Sequence, residues 1–477
     1  MKIEGSIKMV FSSIPFLCIF FPLTVIFYYL LPSGKIKNYF LLSASMLFYA
    51  YGEGYFVFLM IACAFINYVL AGLMEYFHKA KKGLLFIAVV IDLGTLGIFK
   101  YTEMIILTVN NVINLELTVP QIRLPAGISF FIFQALSYVT DVYRGKVEAS
   151  KKFSKILLYI SFFPQLIAGP IIKYYSVSAQ IEKRGADLSK VCQGMRRFIM
   201  GLSKKVLLAD TLAVAVDSVF SLDSSELGMA TAWIGAVAYM FQIYYDFSGY
   251  SDMAIGMGKI FGFDFAENFQ LPYASSSIQM FWRRWHISLT DWFREYLYIP
   301  LGGNRKGKVR TWMNRMIVFF CTGLWHGADW TYVLWGVFHG VFISLETVFP
   351  YFTKRFKVLR HIYVLLVVCV GFVIFRSDTM EQAVMILSAM FTNFEWNLQI
   401  EAAMMRICDN LFLFVLVVSM ICAMPVFQWI KQAEKHWIKA TGSLYILNGM
   451  SYVCSAALLL LCMMSLAGGT YHPFIYF

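Results

Sequence analysis

"WMNRMIVFFCTGLWHGADWTYVLWGVFHGVFISLETVF", residues 312–349, is too long and too apolar to be one helix of a soluble domain. A helix crosses the hydrocarbon core of a bilayer in about 20 residues. The stretch holds two such runs, the first closing on "TGLWHGADW" and the second carrying "WGVFHGVF". Each run carries one histidine, His326 and His339. An ionisable side chain at membrane depth is costly, which marks both as candidates for function. The alternative for either is a neutral imidazole bonded to a carbonyl of a neighbouring helix.

Outward from this pair, apolar runs recur at 10–32, 38–74 (two short helices hinged at Gly52 and Gly54), 83–99, 125–143, 154–172, 194–220, 228–250, 358–376, 408–430 and 444–467. The count is about eleven or twelve spans by length and hydropathy. Composition agrees: of 477 residues 59% are hydrophobic and 14% charged, with a mean hydropathy of +0.66, whereas soluble domains carry about a quarter charged. The expected fold is an all-α polytopic membrane protein. It reads as one integral-membrane domain over 1–477, with a core at 10–350, C-terminal helices at 351–467 and a tail at 468–477; no soluble domain or internal repeat stands out. The first apolar run is full length and has no cleavage pattern behind it, so no removable leader is expected. Nine cysteines with no CxxC pair read as small buried hydrophobes, neither a disulfide frame nor a metal site.

A formal charge of +12 would suggest nucleic acid in a soluble protein. Here "GKIKN", "HKAKK", "RGKVEASKK", "KRFKVLR" and "KQAEKHWIK" fall between spans, where basic residues orient the chain and meet lipid headgroups. They read as cytoplasmic loops, so membrane lipids are the expected contact and nucleic acid is not. Counting back from "KQAEKHWIK" leaves the tail "GGTYHPFIYF" outside.

The polar stretch 264–311 is unusual because its charges and aromatics interleave. Phe281, Trp285, Leu289, Trp292 and Tyr296 recur near helical spacing, with Arg283, Arg284, Asp291, Arg294 and Glu295 largely elsewhere on the wheel. That pattern predicts an amphipathic helix at the interface, ended by "IPLGG".

Of seven histidines, His286 lies in this segment, and His326 stands between Gly323 and Gly327, whose size lets a backbone or a ligand approach the ring. A neutral imidazole, with an ordinary pKa of about 6.5, takes a proton from a hydroxyl as an acyl group is transferred. Metal binding is not expected, since there is no HExxH; nor is there a GxSxG elbow. "YYDFSGYSDMAIGMGKIFGFDF", 244–265, supplies a second polar cluster: Asp246, Ser248 and Asp252 line a polar cavity or satisfy helix ends.

These motifs, with "LPAGISFFIFQALSYVTDVYRG", "FFPQLIAGPI", "FWRRWHISLTDWFREYLYIPLGGNRKG" and "CTGLWHGADWTYVLWGVFHG", resemble the membrane-bound O-acyltransferase family. The likeness is to its bacterial branch, which includes alginate O-acetylation proteins and is related to the teichoic acid D-alanyl transferases. It covers about 10–350 closely and the rest in layout. It implies a ring of helices around a thinned centre, with re-entrant or amphipathic cytoplasmic segments. It places the family's histidine at His326 and its second polar position at His286. By the same likeness, the 281–303 segment holds the donor, an acyl-CoA such as acetyl-CoA or an acyl-carrier thioester, with Arg283, Arg284, Trp285 and Arg294 as donor-binding residues. Guanidinium forks suit phosphate oxygens, although each arginine alone could equally snorkel to lipid. "PFIYF" is similar to a tail motif whose tyrosine relays the acyl group, which singles out Tyr476; an interfacial anchor is the alternative. The implied partners are an extracytoplasmic esterase-like O-acetyltransferase, a polysaccharide acceptor and, for one donor, an acyl carrier protein. No resident cofactor is implied, and the implied location is the bacterial cytoplasmic membrane.

The rival class is a polytopic transporter or flippase exporting a glycan or lipid-linked precursor. Discontinuous helices paired in two repeated halves would favour it, and the sequence does not display them.

Overall fold

The computed structural model describes residues 10–32, 34–185, 187–348, 357–426 and 444–469, the side chains of 357 and 444–448 excepted. Among these, the regular structure is helical throughout, with no strand. Five helices among the described residues are long and apolar enough to cross a membrane: Phe56–Tyr76, His78–Ile113, Trp330–Val348, Val358–Arg376 and Gly449–Ala467. The pair Leu398–Ile407 and Asn410–Ala423, bent by 68°, makes a sixth if it is one span. Several runs read as spans are instead shorter or interrupted: 154–172 divides into Phe153–Ser161 and Phe163–Leu166, and 194–220 contains a π-helical turn at Lys204–Ala209.

The chain forms two compact units, 1–198 with 250–266, and 199–249 with 267–476. In the first, the helices around Gly194 and Gly256 touch backbone to backbone. A Cβ at either glycine would stand 2.6 Å from the other's carbonyl oxygen. That closeness brings Arg197 onto Asp252 at 2.7 Å. A second buried polar pair, Asn67 Nδ2 donating to Asp92 Oδ1 at 2.9 Å, joins two of the apolar helices, since a polar group without water must find its partner inside the protein.

The second unit carries the elements that matter for function. They are α1 (Met229–Ile260, shared with the first unit), α2 (Ile278–Arg284), α3 (Ile287–Phe293), α4 (Lys308–His326), α5 (Trp330–Val348) and α6 (Lys357–Arg376). Helices α4 and α5 form a hairpin whose seam is made by glycine. A Cβ at Gly323 would lie 2.3 Å from the Tyr332 oxygen, and one at Gly336 would lie 2.3 Å from the Phe319 oxygen. Small residues at such a crossing let dispersion contacts between backbones replace those to lipid.

Two further arrangements hold this unit. Lys205, on the π-helical turn, reaches Asp246 of α1 at 2.6 Å and Asp210 at 2.8 Å, all three nearly without exposure. Glu346, buried on α5, accepts from the backbone N–H of Ile278 at 2.6 Å and of Gln279 at 3.1 Å. With Ser277 Oγ accepting from Met280 N–H at 3.0 Å, it caps the start of α2, where unpaired donors favour a carboxylate.

Candidate active site

The segment read as one amphipathic helix is two. Helix α2 stops at Arg284 and α3 starts at Ile287, because His286 takes φ +44° and ψ 56°, the left-handed region. That conformation costs a residue with a Cβ about 1–2 kcal/mol, and local bonds compensate. The backbone N–H of Ile287 donates to the Asn268 carbonyl at 3.0 Å, and that of Gln270 to the Arg284 carbonyl at 3.0 Å. The preceding loop thus straps the break.

The turn buries His286 almost completely, at 1% exposure. Its ring meets Phe247 of α1 edge-on at 4.6 Å and lies 6.5 Å from the ring of His326. Its Nδ1 faces Asn268 Oδ1 at 3.2 Å, while Nε2 has no hydrogen-bond partner among the described residues. His286 lies outside the spanning helices, and burial pushes its imidazole down to about 3. The ring is therefore neutral at physiological pH.

His326 is the last residue of α4 and is only partly buried. Trp335 of α5 stands perpendicular to it at 5.0 Å and Phe375 of α6 at 5.3 Å. The flanking glycines explain this placement: Gly323 allows the α4–α5 contact, and a Cβ at Gly327 would stand 2.1 Å from the Tyr332 ring. His339 is deeper still, boxed by Trp282 and Trp335 at 5.2 Å each, and neither of its ring nitrogens has a partner among the described residues.

A cavity of about 240 Å³ opens beside this cluster. Its wall is mostly apolar, with Trp282, Leu289, Phe293, Phe319 and Ile343, and three guanidinium residues share its lining, Arg283, Arg294 and Arg315. Thr322, one helical turn before His326, lies on the same lining. Trp282, on the cavity lining, packs on Trp335 at 5.5 Å, and Trp335 packs on His326 at 5.0 Å, so a chain of two indoles connects the lining to the imidazole.

The structure brings Arg283 and Arg294 to this cavity, but not Arg284 or Trp285. Arg284 donates to the carbonyls of Leu271 and Ala274 at 3.5 and 3.3 Å, and Trp285 is 2% exposed among Phe269, Phe281 and Phe372. Asp246, Ser248 and Asp252 do not line it either: the two aspartates hold Lys205 and Arg197, and Ser248 is buried. Tyr476 lies outside the described residues. Sequence reading missed Arg315, which lies near the start of an apolar run, and Asn268, whose partners are 18–20 residues away. Among the described residues no three His, Cys, Asp or Glu side chains gather as a metal site.

Two imidazoles thus lie 6.5 Å apart beside an apolar cavity whose lining includes three arginines. The model of the membrane-bound O-acyltransferase family matches residues 46–389, and the chain belongs to that family. It is 43% identical over 400 residues to "Probable alginate O-acetylase AlgI" of Pseudomonas syringae pv. tomato, covering 82% of this chain and 76% of that protein. It is 32% identical over 420 residues to the peptidoglycan O-acetyltransferase of Helicobacter pylori, covering 80% of each. The teichoic acid D-alanyltransferase of Bacillus subtilis is more distant, 27% identical over 278 residues, with 53% of this chain and 68% of that one covered. The chain is thus an integral-membrane O-acyltransferase that uses an acyl donor, and the transporter alternative falls away.

Proposed function

We propose that the chain carries an acyl group, acetyl first of all, from a cytoplasmic thioester across the bacterial cytoplasmic membrane for O-acylation of a cell-surface or secreted polysaccharide. The observation that carries this reading is the imidazole pair, His286 and His326, set behind the arginine-lined cavity. Relatives named for alginate and peptidoglycan O-acetylation support the acetyl group and the polysaccharide.

In this reading the donor is acetyl-CoA or an acyl carrier protein's thioester. Its phosphates meet Arg283, Arg294 and Arg315, and its pantetheine arm occupies the cavity. The acceptor hydroxyl attacks the thioester carbonyl; a C–O bond forms and the C–S bond breaks. An imidazole of the pair takes the hydroxyl proton, and the departing thiolate is protonated in turn, so charge balances. Holding both reactants away from water supplies the rest.

Tyr476, on the tail that the charge pattern of the loops assigns to the outside, is the proposed first acceptor. A phenol with a pKa near 10 needs such a base, and its aryl ester passes the acyl group on readily. The next acceptor is an extracytoplasmic esterase-like transferase that delivers it to the polysaccharide. The test is purified protein in bilayers, given isotopically labelled acetyl-CoA or labelled acetyl-carrier protein, followed by mass spectrometry of the C-terminal peptide. Label on Tyr476 with either donor supports the relay. Label passed to added polysaccharide in a Tyr476→Phe variant at the wild-type rate removes the relay, and no transfer from either donor removes the whole reading.

A further inference from the structure

Asn268 is wholly buried in the loop ahead of α2 and gathers three polar atoms at a single atom of its side chain. The backbone N–H of Ser288 reaches it at 3.2 Å, the Ser288 hydroxyl at 2.9 Å and His286 Nδ1 at 3.2 Å. A backbone N–H can only donate, so the atom it meets is the amide oxygen, Oδ1, and not the amide nitrogen. An amide oxygen can only accept, and the Ser288 hydroxyl, which also lies 3.5 Å from Nδ1, has its one hydrogen on the shorter bond to Oδ1, so the hydrogen between Nδ1 and Oδ1 is the imidazole's own. A neutral imidazole has one N–H. The lone pair is therefore on Nε2, the nitrogen that is buried and has no partner among the described residues.

We propose that Asn268 is a positioning residue that fixes His286 as its Nδ1–H tautomer, so that Nε2 is the proton acceptor of the imidazole pair. The role rests on the acyl-transfer reading of His286 given above. It excludes the opposite assignment, in which Nε2–H donates to the carbonyl oxygen, because the one hydrogen is held at the other nitrogen. Proton transfer from the acceptor hydroxyl to Nε2 gives an imidazolium whose Nδ1–H still points at Asn268 Oδ1, so the bond persists through the step. The same residue holds the ring's place as well as its tautomer, since its carbonyl accepts from Ile287 N–H at 3.0 Å across the left-handed turn. An orienting acceptor behind a histidine base is a general device for setting which nitrogen reacts.

The test is nitrogen-15 solid-state NMR of histidine-labelled protein in bilayers, with His286 assigned by its loss in His286→Gln; seven histidines keep the spectrum tractable. At neutral pH, His286 should show a protonated Nδ1 and a bare Nε2. An Nε2–H signal in the wild type overturns the proposal. Asn268→Leu, which cannot accept, should lose the single tautomer; an unchanged spectrum also overturns it. Because Asn268→Leu can fail to fold, Asn268→Asp provides a second reading. It keeps the acceptor and adds a charge beside the ring, so it should retain turnover within about tenfold while the acidic limb of the pH–rate profile moves up by about one unit. A limb that stays put indicates a merely structural asparagine and contradicts the proposal. The expected tautomer together with full transfer in His286→Gln would instead sink the acyl-transfer role of His286 and leave the hold of Asn268 on the ring standing.

Discussion

The imidazoles of His286 and His326 lie 6.5 Å apart, one set by a left-handed turn and the other by the end of α4. Groups that act on one proton-transfer event lose function together. Alanine at either position is expected to lower the acyl-transfer rate by about 10²–10⁴-fold, and the double variant should be little worse than the poorer single one. Initial rates for the three variants check this; losses that multiply would mean the rings act independently.

Arg315 and Arg284 separate donor binding from scaffolding. Arg315 lines the cavity, so Arg315→Ala should raise KM for a phosphate-bearing donor by about tenfold or more, the worth of a charge-assisted hydrogen bond, and leave kcat near wild type. Arg284 ties down the carbonyls of Leu271 and Ala274. Arg284→Ala should instead lower thermal stability with little change in KM. Steady-state kinetics and melting curves on the same preparations check both.

The buried ring of His286 gives a pH signature to stability. Its folded-state pKa, about 3, is below the unfolded value of about 6.5. Below pH 6.5 the unfolded chain therefore binds a proton that the folded chain does not, and stability falls with pH. At pH 5 the loss is on the order of 2 kcal/mol, growing until the folded pKa is reached. Unfolding measured from pH 7.5 to 5 should fall more steeply for the wild type than for His286→Gln; parallel curves would contradict it.

Lys205 sits between two carboxylates with almost no exposure. Lys205→Met leaves both buried without a counter-charge and is expected to cost about 3–5 kcal/mol. Adding Asp210→Asn and Asp246→Asn should recover part of that. Melting temperatures in detergent decide; a single variant as stable as the wild type would show that the triad is not what holds α1 to the π-helical turn.

What the sequence made legible was local. The α4–α5 hairpin follows from two apolar runs, and His326 was conspicuous for its membrane depth and its glycine neighbours. The glycines act differently from a simple opening around the ring, since Gly323 and Gly336 bring two backbones together. The break at His286 could not be read from "RRWHIS", which contains neither glycine nor proline; it is imposed by Asn268 from a separate loop. The likeness grouped Arg284 and Trp285 with Arg283 and Arg294 as donor-binding residues, whereas Arg284 bonds the carbonyls of Leu271 and Ala274 and Trp285 packs among aromatic rings. Lys205 did leave a signal, because a lysine inside the apolar run 194–220 is costly unless it is paired. Its partners, like those of Glu346, lie far enough away in sequence or fold that spacing alone does not reveal them.

The most direct measurement is the O-acetyl content of the surface polysaccharide in cells carrying His326→Ala, and separately His286→Ala, as the only copy, with membrane protein matched to wild type. Loss of acetylation in both, with the purified variants still folded at the assay temperature, is the expected result. Acetylation near the wild-type level in either would mean that the imidazole concerned is a packing residue and that the transfer chemistry lies elsewhere in the chain.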